Sequence, residues 1–304
     1  MPHVPQSRPR FYQKPGPSKA GALLGGPVLC QTGRMRPPFL AGATPRVFGH
    51  RGAAGLAPEN TLPSFALARA LGAEVLECDV HATRDGTIVV LHDPTLDRTT
   101  NGSGPVCSQD WTDVARLDAG YQFSRDGRDF PYRGHGVRIP TLEAVLTAFP
   151  DMRFNIEVKQ EAPSIVTAVV DLIRRAGAED RVLLAAEHHS IMLSIRAATD
   201  RIATGFSTED VVEFVFRERG DALADYRPAG VALQIPPRTY DRELVTADLV
   251  AAAHRCNLEV HVWTVNDREE MERLLDLGVD GIISDLPGLV RAVVEERRGI
   301  KREA

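Results

Sequence analysis

Four short stretches of this sequence carry side chains able to do chemistry: "HRG" (50–52), "ECD" (77–79), "HD" (92–93) and "NIEVK" (155–159). Each lies at or near the end of a short apolar run that reads as a strand. Glu77 and Asp79 are two positions apart, so a strand points both to one face and turns Leu76, Cys78 and Val80 to the other. Asn155, Glu157 and Lys159 repeat the device, with Phe154, Ile156 and Val158 opposite. Carboxylates gathered on one buried face are costly unless a cation offsets them. Glu77, Asp79 and Glu157 together carry three negative charges. Hard oxygen ligands of this kind suit Mg²⁺, Ca²⁺ or Mn²⁺ and not zinc.

A divalent cation, Arg51 and Lys159 added to those carboxylates leave a single net positive charge. Such a site receives a monoanion, for example a phosphodiester. Arg forks onto two phosphate oxygens and Lys acts as a point charge. Hydrolysis then needs one group to take a proton from the nucleophile and one to protonate a poor alkoxide leaving group. His50 and His92 are the candidates, because imidazole titrates near neutral pH. Taken singly, each residue has a bland explanation: a surface histidine, a salt-bridged Glu-x-Asp, a Glu157–Lys159 pair, a core Trp263. Their recurrence at successive strand ends, with Asp285 after "GIIS", argues for chemistry.

These positions require a particular frame. From Arg46 onward, apolar runs alternate with segments of helical spacing. The runs are 46–50, 73–80, 87–93, 153–159, 181–187, 203–207, 230–235, 258–265 and 281–285. Near-continuous apolar strands have both faces covered, as in parallel sheets. "TLPSFALARALG" (61–72), 141–149, 165–177 and 268–278 read as helices; all but 141–149 close on a glycine or run into one. Eight strand–helix units over about 250 residues predict a closed (β/α)₈ TIM barrel, whose functional groups lie at the C-terminal strand ends. "TIVVLHD" is an extra strand or a continuation of the second unit. Residues 94–139 have little period and predict a small irregular insertion after that unit, of the kind that covers a site.

The totals limit the alternatives. The chain has 304 residues, 43% of them hydrophobic and 25% charged, with a formal net charge of −5. That charge gives no footing for nucleic acid. Four cysteines without CxxC spacing argue against a disulfide framework and point to reduced thiols in the cytoplasm. Residues 1–44, rich in Pro, Gly, Arg and Lys, predict a disordered extension, with Met35 an alternative start. "GALLGGPVLC" (21–30) imitates a leader only weakly, since glycines and a proline break it. No run reaches the eighteen or so apolar residues that span a bilayer, so no stable membrane insertion is expected. The expected organisation is one barrel over 45–298, insertion included, with a tail at 299–304.

The combined motifs resemble the glycerophosphodiester phosphodiesterase family. The matching pieces are "HRG" with "PENT" (58–61), "ECD", "RDGTIVVLHD" (84–93), "LDRTTNGSG" (96–104), "LDAG" (117–120), "IPTLEAVL" (139–146), "NIEVK", "HVWTVND" (261–267) and "GVDGIISDLP" (278–287). The resemblance runs from about Phe48 to Leu289. It implies a TIM barrel, one divalent cation, and hydrolysis of small-molecule glycerophosphodiesters to sn-glycerol 3-phosphate and an alcohol. His50 and His92 match the catalytic pair, Arg51 and Lys159 the phosphate contacts, and Glu77, Asp79 and Glu157 the metal ligands. Trp263 matches an aromatic pocket wall, and Glu59 and Asn60 brace the site. Glu187 and Gln234 are assigned to the substrate pocket. "LLAAEHHS" departs from the Ser-Phe step of many relatives, so Glu187 is open to a substrate amine or a metal, while His188 and His189 start the next helix at the surface.

Two other readings compete with this one, and the route of attack is open. Sphingomyelinase D-like, phospholipase D-like or lysophospholipase D-like enzymes act on lipid phosphodiesters and need an apolar rim. The excursion 121–138 has Tyr121, Phe123, Phe130 and Tyr132 but is heavily charged, which favours a small soluble substrate. A non-catalytic binding barrel should have lost a histidine or a ligand, and none is lost here. Direct water attack and a route through a cyclic phosphate are both compatible with the residues.

Overall fold

A computed structural model describes residues 36–239 and 242–300. The first strand, β1 (Arg46–Gly49), leads into α1 (Leu62–Ala70); β2 (Val75–Ala82) turns back into the antiparallel β3 (Ile88–Val90). The short α2 (Trp111–Val114) lies in the excursion, and α3 (Leu142–Ala148) follows it. The regular alternation then runs through β4 (Arg153–Val158), α4 (Val166–Arg175), β5 (Val182–Ala185), α5 (His189–Ala198), β6 (Ala203–Thr204), α6 (Thr208–Arg219) and β7 (Ala232–Ile235). A two-stranded hairpin, β8 (Arg238–Thr239) and β9 (Arg242–Glu243), precedes α7 (Ala247–Arg255). The last units are β10 (Glu259–Val262), α8 (Arg268–Asp276), β11 (Gly281–Ser284) and α9 (Pro287–Arg297).

Eight strands pair in parallel in the order β6, β5, β4, β2, β1, β11, β10, β7. The ends of that row meet where Gly205 bridges Ala232 and the Val231 N–H donates to the Thr204 carbonyl at 2.8 Å. The result is the expected (β/α)₈ barrel, with β3 as the extra strand on β2. Leu76, Cys78, Val80, Phe154, Ile156 and Val158 pack beneath the helices, as their alternation requires. Thr61, Thr141, Ser207, Thr246 and Asp267 cap α1, α3, α6, α7 and α8 through their side-chain oxygens, which fixes where each helix starts. The excursion has its own apolar centre, where Leu96, Val106, Val114, Val137 and Ile139 close on Val89 and Leu91.

The barrel interior is apolar in the middle and charged at both ends. Phe48, Val75, Leu183, Ala203, Ala232 and Ile283 fill the middle. Phe39 and Leu40 join them from a 3₁₀ turn at Pro38–Leu40. Within the expected extension over 1–44, Phe39 and Leu40 are buried and stopper the N-terminal mouth, while residues 41–44 are exposed. Residues 1–35, including the leader-like stretch and Met35, lie outside the described residues, as do 301–304 of the expected tail.

Buried charge at that mouth is paired. Arg46, 1% exposed, donates to Glu259 from Nε and Nη2, at 2.9 Å in each case, and to the carbonyls of Ala41 and Leu40. Arg36 also meets Glu259, and His261 Nε2 lies 2.9 Å from it. Burial alone would raise the Glu259 carboxyl. The hydrogen bonds from His261 and Arg46 outweigh it and hold the pKa down at about 2. A depressed carboxylate adds stability above its unfolded value and loses it as pH falls through the folded one. Glu259→Gln leaves the Arg46 charge uncompensated, and we expect a loss of about 3–5 kcal/mol in urea unfolding at neutral pH. The deficit relative to the wild type should shrink as pH falls from the ordinary glutamate range towards about 2.

Candidate active site

β2 and β4 pair in register, so that Asp79 sits beside Glu157 and Glu77 beside Asn155. Glu77, Asp79 and Glu157 each offer an oxygen, and these atoms lie within 4.8 Å of one another. Glu77 and Asp79 are almost completely buried. Burial and the neighbouring Asp79 push the Glu77 carboxyl up to about 8, and the same two causes raise Glu157. Asp79 moves the other way: burial is outweighed by Arg51, Lys159 and His92, and by an Asn60 hydrogen bond. The group therefore holds more negative charge than its side-chain cations neutralise. A divalent cation with oxygen ligands fits that deficit.

The strand-end turn after β1 aims the cationic side. Arg51 adopts a left-handed backbone (φ 50°), which costs a non-glycine residue on the order of 1–3 kcal/mol. Three hydrogen bonds hold it there. Its N–H donates to Glu77 at 2.8 Å, and its carbonyl accepts from Asn60 N–H and from Ser64 Oγ. Gly52 is required next to it: φ is +89°, and a Cβ would sit 2.4 Å from Ser64 Oγ. The Arg51 side chain donates to Glu59 at 2.9 Å and lies beside Asp79, where its buried Nε has no aligned partner. Lys159 reaches Glu157 at 2.8 Å and Asp79 at 3.4 Å.

The two histidines are held alike. His50 Nδ1 is 2.6 Å from Asp285, and His92 Nδ1 is 2.7 Å from Asp93. With Nδ1 tied to a carboxylate, Nε2 is the nitrogen available to a substrate in each ring. Burial lowers the His50 pKa, but the Asp285 hydrogen bond and the Glu77 charge outweigh it, and the net shift is upward. Asn266 donates to Asp285 at 2.6 Å and fixes that carboxylate in turn. His81 Nε2 meets the His92 carbonyl at 3.1 Å.

Arg98 joins the two halves of the site. It forks onto Glu59 with two 2.7 Å bonds and onto Asp93 at 2.7 and 2.9 Å. A continuous chain of charged hydrogen bonds thus runs His92–Asp93–Arg98–Glu59–Arg51. Arg98 stands in "LDRTTNGSG", an aperiodic stretch whose spacing does not reveal these partners.

His50, Arg51, Glu77, His92, Glu157, Lys159, Glu187, Gln234 and Trp263 all line one cavity of about 1200 Å³, and Asp79 lies beneath its charged end. Gln234 is turned into the barrel, donating to Asn155 at 3.1 Å and facing His261 Nδ1, so it forms floor. Trp263 is half exposed on the wall. Glu187 is exposed on the cavity wall and is not among the three carboxylates that close on one another. His189 caps nothing and instead meets Ser207 Oγ at 2.7 Å.

The fold and this arrangement define a TIM-barrel enzyme. The model of the glycerophosphoryl diester phosphodiesterase family matches residues 50–289. A probable glycerophosphodiester phosphodiesterase 2 of Mycobacterium tuberculosis is 35% identical over 244 residues, 79% of this chain and 86% of the relative. A glycerophosphodiester phosphodiesterase of Caldanaerobacter subterraneus is 33% identical over 249 residues, 79% of this chain and 94% of the relative. An Oleispira antarctica phosphodiesterase, solved with the product sn-glycerol-3-phosphate, superposes with a TM-score of 0.68 at 27% identity, covering 83% of this chain and 97% of that one. The chain belongs to the glycerophosphoryl diester phosphodiesterase family and is a phosphoric diester hydrolase.

Two changes test the arrangement. Asp285→Asn removes the leading cause that raises His50, so whichever limb of the pH dependence of kcat/KM belongs to His50 should move to lower pH. An unmoved limb, with the His50 ring titration by NMR also unmoved, would break the pairing. Arg98→Met should lower kcat/KM about tenfold to a hundredfold by releasing His92 and Arg51 together. Arg98→Lys should restore only part of it, because an ammonium cannot fork onto two carboxylates.

Proposed function

We propose that the chain hydrolyses glycerophosphodiesters to sn-glycerol 3-phosphate and an alcohol with the help of one divalent cation. The observation that carries this reading is the meeting, in one cavity, of a three-carboxylate group, two cations and two carboxylate-held histidines. The product bound by the Oleispira relative supports it. Glu77, Asp79 and Glu157 would hold the cation. When bound, it supplies charge stabilisation to the phosphoryl oxygens and helps activate the attacking oxygen. Mg²⁺, Ca²⁺ and Mn²⁺ all suit three carboxylates.

The chain's own residues do the rest. Arg51 and Lys159 bind the phosphodiester monoanion and stabilise the charge that grows on it in the transition state. One imidazole takes the proton of the attacking hydroxyl, whether from water or from the substrate's own glycerol. The other protonates the alkoxide as the P–O bond breaks. Asp285 and Asp93 fix the ring orientation of each and stabilise its cationic form. Four cysteines without CxxC spacing support a cytoplasmic location, and no helix among the described residues is long and apolar enough to cross a membrane.

Release of glycerol 3-phosphate from glycerophosphocholine and glycerophosphoethanolamine should stop with EDTA and return with one of the three cations. His50→Ala and His92→Ala should each cut kcat by about 10²–10⁴ while the fold stays intact by circular dichroism. Near-normal turnover in either would remove that histidine from the mechanism. Glu77→Gln should weaken cation binding about tenfold or more in calorimetry without substrate. Unchanged affinity would take Glu77 out of the ligand set.

A further inference from the structure

The barrel floor carries a run of side-chain hydrogen bonds that involves none of the residues assigned to the reaction. It starts at the N-terminal mouth, where the ionised Glu259 can only accept, and His261 Nε2 lies 2.9 Å from it. A neutral imidazole that donates from Nε2 keeps Nδ1 as an acceptor. His261 is completely buried, its ring centroid 4.7 Å from that of Phe48, and the β7–β10 register places Gln234 beside it. The Gln234 amide nitrogen lies 3.4 Å from His261 Nδ1 and donates to Asn155 Oδ1 at 3.1 Å. Both amide protons are thereby committed, and the orientation of the amide is set from below. Gln234 Oε1 is left over. Among the described residues it has no hydrogen-bond partner, yet it is not buried, so it is open to the cavity that Gln234 lines. Gly205 keeps the space beside it free: a Cβ there would lie 3.2 Å from Oε1. Asn155 stands next to Glu77 across the β2–β4 pair, which puts this oxygen at the base of the charged end.

We propose that Gln234 is a specificity-determining residue whose Oε1 accepts a hydrogen bond from a hydroxyl of the substrate's glycerol arm. The inference rests on the proposed phosphodiesterase reading and assigns the atom that tells that arm from other alcohols. Arg51 and Lys159 meet only the phosphate anion and leave both ester arms unread. Of the two arms, a choline head has no N–H or O–H to offer, whereas the glycerol arm keeps two hydroxyl donors. A carbonyl oxygen accepts and does not donate, and here the protein fixes which way it faces. An arm without a hydroxyl at that point leaves the oxygen unpaired once water is displaced. A polar site rejects an analogue lacking one group in this way. Bond cleavage itself does not pass through Gln234, which acts on selection alone.

The test is calorimetry, with Mg²⁺, Ca²⁺ or Mn²⁺ supplied, of sn-glycerol 3-phosphate and its two deoxy analogues, 2-hydroxypropyl phosphate and 3-hydroxypropyl phosphate. Choline release from the three corresponding phosphocholine diesters runs beside it. The wild type should bind sn-glycerol 3-phosphate about five- to fiftyfold more tightly than the analogue that lacks the hydroxyl facing Oε1. Gln234→Met removes the acceptor and should erase most of that preference, raising KM for glycerophosphocholine more than it lowers kcat. Gly205→Ala crowds Oε1 but leaves both donated bonds of the amide in place, and should shrink the preference in the same direction. If Gln234→Met fails to fold, Gly205→Ala carries the same comparison. Equal binding of the three phosphates by a wild type that hydrolyses glycerophosphocholine overturns this inference and leaves the hydrolase reading standing. A preference that survives Gln234→Met belongs to the cation or to another side chain and overturns it too. Equal weakening of all three ligands by that variant, with the preference intact, gives Gln234 a structural role only and has the same consequence. A preference that Gln234→Met erases, in a protein that hydrolyses no diester with any of the three cations, overturns the hydrolase reading and leaves the hydroxyl contact.

Discussion

Two carboxylates at the end of β2, Glu77 and Asp79, impose the condition that the rest of the site meets. Both are buried, and register with β4 brings Glu157 against them. Such a group is unstable as a set of bare anions, so its surroundings must supply positive charge. Arg51 and Lys159 supply part of it. Burial and the neighbouring Asp79 still raise the Glu77 and Glu157 carboxyls. A divalent cation taking oxygen ligands from two neighbouring strands fits this group. The left-handed turn at Arg51 answers the same demand, because it lets a backbone N–H reach Glu77 while the guanidinium reaches Asp79.

The two ends of the barrel treat charge differently. At the N-terminal mouth, Arg46, Glu259 and His261 close on one another with direct hydrogen bonds, and Phe39 and Leu40 seal them off. At the C-terminal mouth the charges are left partly unmet and open to the cavity. The first is an ion cluster whose gain is stability. The second holds unspent electrostatic interaction for a ligand, and the cost is carried by the apolar middle layer that separates the two ends. This division matches the habit of the fold, in which chemistry gathers where the strands point.

Much of this was legible in the sequence. The period-two alternation around Glu77, Asp79 and Glu157 fixed which side chains shared a face, and the strand ends marked the functional side. Contacts that depend on barrel closure were not. Asp285 was visible only as a polar strand end, because it meets His50 across the β1–β11 pair, more than two hundred residues away in the chain. Asp93 was adjacent to His92, yet adjacency on a strand usually separates side chains; the chain leaves β3 before this point and the rule lapses. Arg98 sits in an aperiodic stretch where no spacing argument applies. Phe39 and Leu40 are two apolar residues in a Pro- and Gly-rich run, too few to give a period.

The α6 face shows a subtler limit. In "TEDVVEFVFRER" the apolar residues recur often enough to read as an ordinary buried stripe, and Phe214 does fill that role. Hydrophobic periodicity reports that a face avoids water, not what covers it. Val212 and Phe216 occupy the shoulder of the stripe, one residue away from positions that pack on the barrel. Whether such a shoulder is core or pocket is decided by its tertiary neighbours, and here Val212 and Phe216 line the cavity. In the proposed reading the charged centre would serve any phosphodiester, since it meets only the monoanion. Discrimination among phosphodiesters then depends on surfaces beyond it, and Val211, Val212, Val215 and Phe216 of α6 are among the residues that line the cavity there.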